Sequence, residues 1–250
     1  MSGHSKWATI KHKKGAADAK RGKLFAKLIR QVEVAARQGG GDVDANPTLR
    51  TMYQKARDAS VPLDTIDRAV KRGTGELEGV TYEQITYEGY APHGVAVLVD
   101  VLTDNRNRTG SEVRTTFTRA GGSLAEPGAV AWQFDRKGSI LVDRKEDEED
   151  LMLTALEAGA TDITDDGEAW RVTTEPGDLH SVRSGLEEAG MGVDSSDLVM
   201  EATNVVPLGD VGAARSVLNL VDTLEDNDDV QSVHANFDIS EDVFAALEVG

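Results

Sequence analysis

At Gly75 the chain changes period. Before it, apolar residues recur every three or four positions; after it, they come in short runs separated by turn residues. That switch divides the chain between an N-terminal helical module and sheet-containing modules. The same boundary divides the charge. Residues 1–75 hold 16 Lys/Arg against 7 Asp/Glu, so of the totals of 27 and 44 the remainder holds 11 against 37. Residues 1–30 carry nine Lys/Arg and a single acid, Asp18. A positive arm on an acidic body is the footprint of a polyanion-binding protein, with nucleic acid as the expected partner.

Residues 1–14 read as an irregular basic arm. From Asp18 a helix is expected, with Leu24, Phe25, Leu28, Ile29, Val32 and Ala36 on one face and Lys20, Lys23, Lys27, Arg30 and Arg37 on the other. Gly39–Gly41 ends it, and Asn46-Pro47 supplies a cap and a first-turn proline for a second helix to Ala59. Pro62 opens a third, short helix that Gly73-Thr74-Gly75 stops. Strands follow at Tyr82–Tyr90 and Val95–Thr103, then a helix from Gly110 to Ala120 and a strand at Ala129–Phe134. Ser139–Asp143 begins the order strand, helix, two strands, helix, strand, which is the ferredoxin-like split unit. The final helix (Val211–Leu224) and strand (Val230–Phe237) supply what the first α/β module lacks. The expected fold class is therefore α+β: a three-helix domain over 1–75, an α/β domain from 76–134 plus 206–250, and a ferredoxin-like α/β domain, 135–205, inserted in it.

The arm and the basic helix face nominate His4, Lys6, Trp7, Lys11, His12, Lys13, Lys14, Lys20, Arg21, Lys23, Lys27 and Arg30 as nucleic-acid contacts. A helix face of cations without interleaved acids differs from a merely solvated face, which mixes signs. Lysines of this kind grip phosphate without reading sequence. Trp7 either stacks on an unpaired base or packs the arm onto a core. His4 and His12 lack further ligands at metal-binding spacing, so no metal site is expected. Thr103–Gly110 lies where a strand turns into a helix, and its Arg106 and Arg108 either meet an anion at the helix N-terminus or pair with nearby acids. Phosphate-cradling, dinucleotide and zinc-protease motifs are absent, so no enzyme activity, cofactor or small-molecule substrate is expected. The chain has no cysteine, which excludes disulfides and thiol chemistry and suits a reducing cytoplasm. No apolar run is long enough for a membrane span, and no apolar segment follows the positive N-terminus as a secretory signal requires.

Gly3–Trp7, Ile10–Lys13, Asp18–Lys23, Val34–Ala36, Asn46-Pro47, Gly73–Gly75, Tyr87–Tyr90 and Leu102–Thr109 resemble the YebC/PmpR family, densely over residues 2–140 and continuously beyond. Departures are small: Ala8 stands where the family often has Asn, and Ala26 where it often has a hydroxyl residue. The resemblance implies an N-terminal helical domain with two α/β domains, no catalytic activity, and a cytoplasmic DNA-binding transcriptional regulator. Relatives, including a mitochondrial one, act in translation on the ribosome and are linked to relief of stalling at proline runs. DNA and ribosomal or transfer RNA thus stand as alternative partners. The acidic modules are left to bind a protein partner or to set geometry. The third helix offers Asp64, Asp67 and Arg68 where a DNA reader places base-contacting side chains, and acids on that face lean toward RNA, or toward weak and unspecific DNA contact.

Overall fold

Three helices account for the N-terminal period: α1 (Asp18–Gly39), α2 (Pro47–Asp58) and α3 (Leu63–Thr74). They belong to a computed structural model that describes residues 18–249. Leu28, Val32, Ala35 and Ala36 of α1 meet Leu49, Ala56, Ile66 and Ala69 in one core. Asn46 caps α2 by accepting from the Leu49 amide at 3.0 Å, while its own amide donates to the carbonyls of Ala35 and Gly40 at 2.9 Å each. One side chain thereby fixes the turn between α1 and α2. At Gly73 a Cβ would lie 2.4 Å from the Glu33 carbonyl, so α3 reaches α1 only because that position has no side chain. The 22 residues of α1 span about 33 Å against about 18 Å for its 12-residue partners, so its first turns overhang them. Leu24, expected to face inward, is for that reason exposed.

Next come β1 (Glu83–Tyr90), β2 (Ala96–Thr103), α4 (Arg106–Arg119) and a short β3 (Ser123–Leu124). The chain then runs through β4 (Phe134–Asp143), α5 (Glu148–Ala158), β5 (Asp162–Asp165), β6 (Ala169–Thr174), α6 (Leu179–Glu188) and β7 (Val193–Ala202). The spatial order β5-β6-β4-β7 is that of the ferredoxin-like unit. Ile140, Val142, Trp170 and Val172 pack there against Leu151, Ala155, Leu179, Val182 and Leu186. The chain ends with β8 (Val206–Leu208), α7 (Val211–Glu225), β9 (Val230–Ala235), β10 (Phe237–Ile239) and α8 (Glu241–Val249). In the order β3-β1-β2-β9, β2 pairs antiparallel with β1 from Glu83↔Thr103 to Tyr90↔Ala96 and with β9 on its other edge. Being central, β2 is buried on both faces, which explains its nearly continuous apolar run.

Contacts group the chain into two compact units. One joins the helical module, up to Val80, with Arg136–Val199; the other joins Thr81–Asp135 with the chain from Met200 onward. Within the first, the Arg183 guanidinium of α6 donates to both oxygens of Asp58, at the end of α2, at 2.6 and 2.9 Å, and to Ser196 at 2.7 Å. Lys55 pairs with Asp197 beside it. The paired Asp58 and Glu187 hold Arg183 charged against the opposing effect of its burial.

The structure differs from expectation at two places that matter for function. Residues 129–133 are not a strand: Ala131–Gln133 is a 3-10 turn, and β4 starts only at Phe134. The cause is Glu88, a buried carboxylate on β1 that accepts from the amides of Gly128, Val130 and Ala131 at 2.6, 2.7 and 2.9 Å. Three donors converging on one anion curl the backbone out of any ladder. Helix α4 begins at Arg106, four residues before the expected Gly110, because the Asn105 side chain caps it by accepting from the Arg108 amide.

Candidate nucleic-acid interface

His4, Lys6, Trp7, Lys11, His12, Lys13 and Lys14 lie outside the described residues, and of Lys20 only the backbone, in α1, is described. On the overhanging turns of α1 Arg21 and Lys23 are exposed, with Lys27 and Arg30 half-buried. The Arg21 guanidinium lies over the Phe25 ring, 5.6 Å from its centroid. The basic residues thus sit on the part of α1 farthest from α2 and α3. Farther along the same helix, cations turn inward. Buried Glu33 accepts from Arg72 at 3.0 Å and Arg37 at 3.2 Å, and Arg37 also donates to the Val80 carbonyl. Arg37, expected on the exposed basic face, is therefore a strut. On α3, Asp64 pairs with Arg68 and Asp67 accepts from the Tyr53 hydroxyl, so acids stand on that helix's exposed side.

Arg106 and Arg108 are brought together at the start of α4, each with an acid. Arg106 pairs with Glu83 of β1 at 2.7 Å, both groups exposed. Arg108 donates to Asp104 at 3.0 Å and to Asp229 at 2.6 Å. Asp229, 6 % exposed, lies in the turn before β9 and accepts also from the hydroxyls of Thr109 (2.6 Å) and Thr103 (3.1 Å). Burial alone raises its pKa; the donors from Thr109, Arg108 and Thr103 outweigh that and hold it below the ordinary carboxylate range. This knot ties β2, α4 and β9 together. The two arginines therefore differ sharply: an exposed pair like Arg106–Glu83 costs little to exchange for a phosphate, whereas freeing Arg108 strips a buried carboxylate of its counter-charge.

Trp132 is a candidate that periodicity concealed inside an expected strand. It sits on the turn that Glu88 organises, 69 % exposed, with its indole N–H donating to the Ala129 carbonyl at 3.1 Å. Burial raises the Glu88 pKa, and the three backbone donors more than reverse that, so the anion that shapes the turn persists to low pH. The signal available in the sequence was Gly128 within Glu126-Pro127-Gly128, a turn signature directly ahead of the apolar run.

Asp100, Ser232 and His234 come together on one face of the sheet, but not as a nucleophilic triad. Ser232 donates to Asp100 at 3.0 Å, and the single nitrogen Nε2 of His234 faces both Ser232 (3.2 Å) and Asp100 (3.5 Å). A triad needs the two histidine nitrogens to bridge serine and carboxylate separately. No group of three or more His, Asp or Glu among the described residues is placed to hold a metal ion, and no described helix is long and apolar enough to cross a membrane.

The profile described as "TACO1/YebC protein N-terminal domain" matches residues 5–76, and that described as "TACO1/YebC second and third domain" matches residues 82–237. A protein of Rubrobacter xylanophilus named "Probable transcriptional regulatory protein" is 60 % identical over 249 residues, covering 99 % of each chain. One of Geobacter sulfurreducens, "Probable transcriptional regulatory protein GSU1074", is 56 % identical over 96 % of this chain and 97 % of its own. The crystal structure of a conserved hypothetical protein, Aq1575, from Aquifex aeolicus superposes with a TM-score of 0.82 at 46 % identity, over 90 % of this chain and 93 % of that one.

Proposed function

The chain belongs to the TACO1/YebC family, and from that premise we propose that it is a non-enzymatic, cytoplasmic, nucleic-acid-binding regulator. Its three-helix module grips phosphates, and its two acidic α/β modules give the geometry. The names of its relatives make a DNA-binding transcriptional regulator the first version of this reading. The observation that carries it is the overhanging, lysine- and arginine-bearing end of α1, which continues the charge of the arm away from the helical core. Arg106 adds a contact at the start of α4, while Arg108 serves the Asp229 knot.

The alternative is a ribosome-associated translation factor that contacts ribosomal or transfer RNA. Two observations favour it: the exposed side of α3 presents Asp64 and Asp67, which repel a duplex backbone, and Trp132 is a fixed, exposed ring suited to stacking on an unpaired base. The deciding experiment measures binding to promoter DNA, random DNA and intact ribosomes across a salt series. Promoter preference above about tenfold without ribosome association supports the DNA version. Equal binding to both DNAs, with ribosome co-sedimentation at physiological salt, supports the RNA version. No binding to any of the three even at low salt, or binding whose affinity does not change with salt, overturns both.

A further inference from the structure

Helix α5 is apolar on both sides. Its inner side carries Leu151 and Ala155 into the core of the inserted module. Its outer side carries Leu153, Leu156 and Met152, at 62, 52 and 44 % exposure. Leu153 and Leu156, three residues apart, form one stripe across adjacent turns. A surface helix ordinarily turns polar residues outward, and one that is apolar all round is ordinarily covered. Helix α6 does not cover this stripe: it meets α5 on the flank, where Gly185 approaches Ala158 so closely that a Cβ would lie 2.9 Å away.

The surroundings say what kind of partner fits. Glu148, Glu149 and Asp150 occupy the first turn of α5, and exposed Glu157 stands beside the stripe. Residues 136–199 hold six Lys/Arg against 17 Asp/Glu. A second copy would set acid against acid, and nucleic acid or an anionic lipid surface would be repelled. We propose that the outer face of α5 docks a lysine- or arginine-bearing amphipathic helix of a partner protein. Apolar anchors one turn apart on that helix meet Leu153 and Leu156, and flanking cations meet Glu149 and Glu157.

The test uses the full chain with labelled Met and Leu methyl groups and a synthetic amphipathic Leu/Lys helix as probe. Signals of Met152, Leu153 and Leu156 are expected to shift. Leu153→Ser with Leu156→Ser is expected to weaken binding at least tenfold without lowering the melting temperature. Glu149→Gln with Glu157→Gln, which leaves the apolar stripe intact, is expected to weaken binding and flatten its salt dependence. Equal affinity for a Ser/Lys helix of the same charge overturns the proposal, as do shifts confined to other methyl groups. A concentration-dependent dimer that the Leu153→Ser, Leu156→Ser variant abolishes assigns the face to a second copy instead.

Discussion

Glu88 and Asp229 illustrate how a single buried anion organises backbone that propensity leaves undecided. For Glu88→Gln, whichever way the amide is oriented, its NH2 faces a backbone N–H that a carboxylate oxygen accepted before. A loss of about 2–3 kcal/mol in urea unfolding is expected. Asp229 is held at a depressed pKa in the fold, so its stabilising contribution is complete above the ordinary carboxylate range and is lost as pH falls through the depressed value. Asp229→Asn is therefore expected to destabilise at neutral pH and to converge on the wild type in acid, as read from melting temperatures across a pH series. The two arginines of the same segment separate by the same logic. Arg106→Ala should weaken nucleic-acid binding and leave the melting temperature unchanged, whereas Arg108→Ala should lower the melting temperature. Equal melting temperatures for the two variants would remove the distinction drawn between the exposed pair and the buried one.

Among the elements, the long periodic helices and the strands β1 and β2 were legible because one or both faces are buried and the pattern says so. What escaped was set by partners far away in sequence. The apolar run Ala129–Phe134 has strand composition, and only a carboxylate some 40 residues earlier turns its first part into a loop. The first turn of α4 contains no apolar residue, so periodicity began at Val113 although the capping Asn105 was visible. The arginines of that turn stood open between an anion site and pairing with acids, because Asp229, the buried partner of Arg108, lies 121 residues away. β3 and β8, of two and three residues, are too short to carry a period. The junction of α2 with α6 was equally invisible, since it rests on a single bidentate pair. Asp58→Asn leaves the mostly buried Arg183 without its main counter-charge and is expected to cost roughly 3 kcal/mol. A double-mutant cycle with Arg183→Met measures the coupling directly.

For the whole molecule, charge segregation is the property with the broadest consequence. Replacing Lys11, Lys13, Lys14 and Lys20 by Ala is expected to reduce the slope of log affinity against log salt on duplex DNA by about 3–4 units. An unchanged slope would mean that the arm makes no phosphate contact. The pairing of β2 with a strand from the end of the chain also gives synthesis a direction. When β2 leaves the ribosome, one of its edges has no strand to pair with. Ser232, which bonds Asp100 from β9, follows 132 residues later, on the order of ten seconds at ordinary elongation rates. Once Val199 has been made, the first unit has all its residues, while the second still waits, with an apolar strand edge open, for the last segment of the chain. A message truncated or stalled after Ala202 would therefore leave a nascent chain whose first unit is finished and whose second exposes β2 to any strand nearby.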